Sequence, residues 1–173
     1  MPQQSSSLEG TKTNNSPDAI KKVVQKFVQE CWNQGNLNAA SEYLVDQVRF
    51  HDPAFPNLNA GVQNIKNHIE QCRRAFPDLK FTIDDTIAER NEVALHWNFR
   101  GTHKGKFLGM QPTNRQVNLG GPSIYRLEGS KIAEPYANWN LASIRQQIGV
   151  IELPNEARAS ANNVETHETK LHA

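Results

Sequence analysis

The chain has 173 residues and a formal net charge of +1, a length that suits one domain with loose ends. Near-balanced charge offers no concentrated basic field, so neither a nucleic-acid partner nor an anionic membrane surface is expected. No apolar run approaches the ~20 residues that span a bilayer, and the opening MPQQSSSLEGTKTNN lacks the basic start and apolar core of a signal peptide, so a cytoplasmic protein is expected.

Residues 1–16 are Ser, Thr, Asn and Gln with little to bury, and read as a disordered N-terminal segment. A compact pattern fills residues 17–150. Ser16 reads as a helix cap and Pro17 as the first turn. Ile20, Val23, Val24, Phe27, Val28 and Cys31 then recur at helical spacing until Gly35. A short second helix is predicted over Leu37 to Tyr43, and QVRFHDP reads as a brief strand stopped by Pro53. GVQNIKNHIEQCRRAFP predicts a third helix, with Val62, Ile65, Ile69 and Cys72 on one stripe. The two cysteines, Cys31 and Cys72, lack metal spacing and read as buried reduced thiols, with a single disulfide as the other reading.

From residue 80 the period changes to two. KFTIDDTIAER alternates, with Phe81, Ile83 and Ile87 on the apolar face, and Arg90-Asn91 makes the turn. The next strand places Val93, Leu95, Trp97 and Phe99 on one face and Ala94, His96, Asn98 and Arg100 on the other. Two more strands flank the Glu128-Gly129-Ser130 turn, and an amphipathic helix follows with Leu141, Ile144 and Ile148. Residues 151–173 read as a polar C-terminal tail. The fold class is α+β: a curved antiparallel sheet of about four long strands packed on three N-terminal helices, enclosing a conical hollow of the kind that binds small molecules.

The segments HDP at 51–53, AFPDL at 75–79, RGTHKGKFLGMQPTNRQV at 100–117, YRLEGSKIAE, and the closing NW-helix-QQIG carry a resemblance. Over residues 17–149 the chain resembles the SnoaL-like polyketide and ester cyclases of the nuclear-transport-factor-like superfamily. The resemblance implies a cone-shaped α+β fold, a homodimer or higher homo-oligomer, a buried pocket for a hydrophobic polyketide-, terpenoid- or ester-type substrate, and no metal or organic cofactor. It implies cyclase or isomerase chemistry driven by an acidic residue. Where the family pattern carries two aspartates, this chain has Ala137 and Asn140, and the position of Asn140 is the one matched to the acid/base carboxylate.

An amide cannot take a proton near neutral pH, although it can donate hydrogen bonds to an oxyanion. The catalytic candidates are therefore His96 on the polar side of its strand, His51 beside Asp52, and Asn140 as a polarising group. Asn98, Tyr125, Glu134, Tyr136, Asn138 and Trp139 are the substrate-binding candidates; Glu134, Tyr136, Asn138 and Asn140 share strand parity. His103 is expected near the rim, in the GTHKG turn. Plainer readings stand beside these. Asn140 is equally a helix N-cap, His51 and Asp52 can bind local backbone, His96 can face away from the hollow, and Glu134 can form a surface ion pair. A non-catalytic carrier of a hydrophobic metabolite is the alternative to the enzyme, since both expected carboxylates are missing.

Overall fold

The structure, a computed structural model, describes residues 16–150, so the N-terminal segment up to residue 15 and the tail at 151–173 lie outside the described residues. Helix α1 spans Pro17–Phe27, with the Ser16 hydroxyl accepting the Ala19 amide at 3.3 Å and Ile20, Val24 and Phe27 buried. The predicted single helix then widens into a π-helical segment, Val28–Asn33. The wider turn brings Val28, Cys31 and Trp32 inward together, a local irregularity often found at functional sites. Gly35, at a φ of +74°, lets the chain reverse. A 3₁₀ turn at Leu37–Ala39 runs into α2, Ala40–Tyr43, and α3 covers Val62–Ala75.

The sheet is a four-stranded antiparallel meander in the order β1 (Lys80–Glu89), β2 (Glu92–Thr102), β3 (Gln116–Glu128), β4 (Lys131–Ala137), followed by α4, Leu141–Gln147. Its inner face carries Val93, Leu95, Trp97 and Phe99 from β2 and Val117, Leu119, Tyr125 and Leu127 from β3, all buried against the helices. Both cysteines are free and buried. The α+β cone is therefore as the periodicity requires. No helix among the described residues is long and apolar enough to cross a membrane.

Two expectations fail for identifiable reasons. QVRFHDP is not a regular strand. It runs parallel to β4 and bonds it only at intervals: Arg49 N–H to the Ala133 carbonyl and His51 N–H to the Pro135 carbonyl, each at 2.9 Å, with Ala137 N–H returning to the His51 carbonyl at 2.9 Å. Pro135 has no N–H to give, and the β3–β4 register slips between Arg126 and Leu127, so a continuous ladder cannot form. Ile87 is not on the inner face but is 67% exposed. The β1–β2 register shifts between Ile83 and Asp85, which inserts one residue and reverses every later side chain of β1. Thr86 and Ala88 turn inward instead.

Ile87→Thr is therefore expected to change unfolding free energy by no more than about 0.5 kcal/mol. Leu95→Ala, on the inner face, should cost about 2–5 kcal/mol. Urea denaturation of the two variants measures both.

Candidate functional site

The inner face and the helices enclose a small cavity. Its wall is Val28 and Trp32 from the π-helical segment, Phe50, Phe81 and Ile83, Leu95 and Trp97 from β2, Ser123 and Tyr125 from β3, and Ala137 and Trp139 beyond β4. All three tryptophans of the chain are in that wall. The free volume is about 30 Å³, space for a water molecule or two. The indole of Trp139 is the hub, with ring centroids 6.0 Å from Trp32, 6.1 Å from Trp97, 5.8 Å from Phe81 and 5.2 Å from Phe99. These are the tilted and edge-on spacings that aromatic pairs favour.

Local sequence explains the assembly. Strand parity turns Ala137 inward opposite Ser123. Gly121 faces Trp97 across the ladder, where an added Cβ would stand 3.2 Å from the indole; the missing side chain gives the ring its place. The Trp97 indole N–H donates to the Ser123 hydroxyl at 2.9 Å. Asp52 locks the far corner. One carboxylate oxygen accepts the Ala54 amide at 2.7 Å and the other accepts the Trp139 amide at 2.9 Å. Asp52 thus ties the turn at Pro53 to the β4–α4 junction rather than serving His51. Burial pushes its carboxyl up, against the opposing pull of those two amide bonds.

The sequence candidates separate into three places. Tyr125 and Trp139 line the cavity. The Tyr125 hydroxyl forms no hydrogen bond among the described residues, and burial pushes the phenol up, so it stays a neutral donor. Asn138 and Asn140 border a separate external hollow beside Pro53 and Pro122. The Asn140 side chain accepts the Ser143 amide at 3.0 Å as the N-cap of α4. Ala137, at the other substituted position, is the one that faces the cavity.

His51, Glu134 and Tyr136 gather on the outer side of β4. The Glu134 carboxylate accepts from Tyr136 at 2.5 Å, from Arg126 at 3.2 Å and from Arg49, with His51 Nε2 at 3.9 Å. The Tyr136 hydrogen bond and then the Arg49 guanidinium hold its carboxyl below the usual range. His51 stacks on the Tyr136 ring at 4.3 Å. His96 and Asn98 lie on the outer face of β2, where His96 Nδ1 stands 3.1 Å from the Asp84 carboxylate and Asn98 donates to the same oxygen. The sheet separates His96 from the cavity, because even-numbered residues of β2 point outward. The bulge in β1 is what brings Asp84 to meet them.

Sequence reasoning passed over Phe50 and Ser123, which carry no chemical signature, and His68; Ala137 was marked only as a substituted position. His68 was hidden on the α3 stripe one position before Ile69. It is 5% exposed, with ring centroids 5.7 Å from Trp32, 5.5 Å from Phe50 and 4.4 Å from Phe55. Burial pulls its imidazole from 6.5 down to about 4. His103 is not near the rim but fully buried against Phe76; its Nδ1 stands 3.2 Å from the Thr113 hydroxyl, and Nε2 has no partner among the described residues. The hairpin connection folds back onto α3 through Lys104 and Gly105 amides bonded to the Ala75 carbonyl, which covers it. Chemically, the cavity wall can stack on an apolar ring and donate one hydrogen bond from Tyr125. It carries no carboxylate or imidazole to remove a proton from carbon.

A family model described as SnoaL-like polyketide cyclase matches residues 22–148. Among curated proteins, none matches the chain. Several solved structures share its fold. TsrD from Streptomyces laurentii is 20% identical, covering 79% of this chain and 98% of its own, with a TM-score of 0.71. A candidate polyketide cyclase from Acidithiobacillus ferrooxidans is 26% identical, covering 80% and 99%, with a TM-score of 0.68. A protein of ketosteroid isomerase-like fold from Catenulispora acidiphila, solved with trimethylamine, is 18% identical, covering 78% and 95%, with a TM-score of 0.64.

The buried imidazole generates a pH prediction. Above pH 6.5 His68 is neutral in both the folded and unfolded chain and contributes no pH dependence. Between pH 6.5 and about 4 the unfolded chain takes a proton that the folded state refuses, so stability falls as pH falls. The loss should reach about 3 kcal/mol. Urea denaturation at a series of pH values should show this slope in the native protein and its reduction in His68→Leu.

Proposed function

The chain belongs to the SnoaL-like polyketide cyclase family, and from that premise we propose that this member binds a hydrophobic, ring-bearing small molecule in the cone as a carrier, without carboxylate-driven turnover. The observation that carries the reading is the composition of the cavity wall: three tryptophans, Phe50, Phe81 and Tyr125, with Ala137 at the inward position where the family pattern carries an acid. Apolar area removed from water and ring-on-ring packing supply the affinity. One donor, the Tyr125 hydroxyl, orients a carbonyl or hydroxyl of the ligand. The free volume of about 30 Å³ requires rings of the wall to move apart as the ligand seats.

A second reading keeps the family's chemistry: a cofactor-independent cyclase or isomerase of a polyketide-, terpenoid- or ester-type substrate. The unpaired Tyr125 hydroxyl favours it, because a buried neutral phenol can stabilise an enolate oxygen as it forms. In either reading we take the protein to be a homodimer or higher homo-oligomer, supported by Ile87 and Ile124 standing exposed on the outer sheet face.

Since every tryptophan lines the cavity, intrinsic fluorescence reports binding directly. Titration with 4-acetylbiphenyl should give saturable quenching, and Ala137→Leu, which fills the space, should weaken it at least about tenfold. Quenching that never saturates, or that Ala137→Leu leaves intact, would remove the carrier reading. Conversion of a β,γ-unsaturated ketone to its conjugated isomer, abolished by Tyr125→Phe, would replace it with the enzymatic one.

A further inference from the structure

A ring-bearing ligand needs a few hundred Å³, and the space at Trp139 has about 30 Å³. One ring away lie two open hollows of about 370 and 290 Å³, both bordered by Phe55, His68, Gln71 and Leu108. Phe50 lines the cavity and sits 5.5 Å from the His68 ring. Phe55 is 4.4 Å from His68 on one side and 6.1 Å from Trp139 on the other. The partition between the cavity and the hollows is thus a single layer of aromatic rings, and Phe55 is only half-buried. Beyond it, Leu108 stands 43% exposed at a φ of +46°, a conformation a leucine holds only when the surrounding turn imposes it.

We propose that the cavity at Trp139 and the hollows at His68 are two compartments of one elongated ligand site, parted by the rings of Phe50 and Phe55, in which the His68 imidazole hydrogen-bonds a carbonyl oxygen of the ligand. This rests on the small-molecule reading above and identifies its ligand as an elongated apolar ketone or ester. The chemistry of the pair at positions 68 and 72 suits that role. Burial pushes the Cys72 thiol up to about 12, so it keeps its proton. The thiol lies 3.9 Å from His68 Nε2 and can donate weakly to it. With the thiol as donor the ring proton sits on Nδ1, to which no hydrogen bond forms among the described residues. A neutral imidazole N–H is a donor matched to a carbonyl, and one with no protein acceptor at the edge of an apolar chamber is open to a ligand that supplies it. Swinging Phe55 outward opens the way from Leu108 to Trp139, and the volume the cavity lacks is then supplied by the hollows.

The test compares 4-acetylbiphenyl with 4-ethylbiphenyl, which has the same shape without the carbonyl. Tryptophan quenching should show the acetyl compound bound at least fivefold more tightly by the native protein. His68→Phe should bring its affinity down to that of the ethyl compound while leaving the latter within twofold, and His68→Gln, which keeps a donor, should restore part of the preference. The ¹⁵N resonances of the native His68 ring should shift with the acetyl compound alone, a readout that needs no variant. Phe55→Ala, which thins the partition, should tighten binding of both compounds. Equal affinity of the two compounds for the native protein, or a preference that survives His68→Phe, overturns the proposal while leaving the cavity reading in place. Failure of both compounds to quench ends the cavity reading, and this proposal with it.

Discussion

The interaction on which the arrangement depends is the grip of Asp52 on the main chain at Trp139. A buried carboxylate satisfied by two amide donors is costly to leave half-bonded, so the turn at Pro53 and the junction between β4 and α4 must stay together. That fixes the direction in which Trp139 enters the cone. Trp32, Trp97, Phe81 and Phe99 pack against it at 5.2–6.1 Å, and the first three of these rings form part of the cavity wall.

The same geometry separates two chemistries that a curved sheet keeps on opposite faces. Inside are rings, one serine already committed to an indole N–H, and one free phenol. Outside are the ionised groups: Glu134 held by Tyr136, Arg126 and Arg49, and Asp84 held by His96 and Asn98. These charged groups keep their partners, and Glu134 is buried among its own. None of them can serve a carbon acid within the cone without crossing the sheet. The family fold is retained, and the residue that lines the chamber at the end of β4 is Ala137.

Much of the architecture was legible because periodicity is a strong signal where one face is buried. The stripes of α1 and α3, the alternation of β2 and the cap at Asn140 all follow from residue spacing alone. Ile87 shows the limit. Its alternation with Phe81 and Ile83 is regular in the sequence, yet a single inserted residue at Asp84 reverses it, and nothing local announces a bulge. His96 shows another. Its polar parity was readable, but parity says only that two faces exist. Which face meets the helices depends on where the apolar majority packs, and Leu95 and Trp97 take that side. His68 escaped notice and His103 was expected at the rim for the opposite reason: each is buried among apolar residues by elements distant in the chain.

By itself the sequence determined the order of helices and strands, the α+β class, the family and the absence of aspartate at positions 137 and 140, because these depend on near-neighbour spacing and on residue identity. Only the tertiary structure decided that Ala137 rather than Asn140 faces the cavity, that three tryptophans from distant segments share one chamber, and that Glu134 and His51 belong to the outer face. Those outcomes depend on register, on one bulge and on the clamp at Asp52. Each brings together residues tens of positions apart, and such pairings are set by packing of the whole chain rather than by any stretch of it.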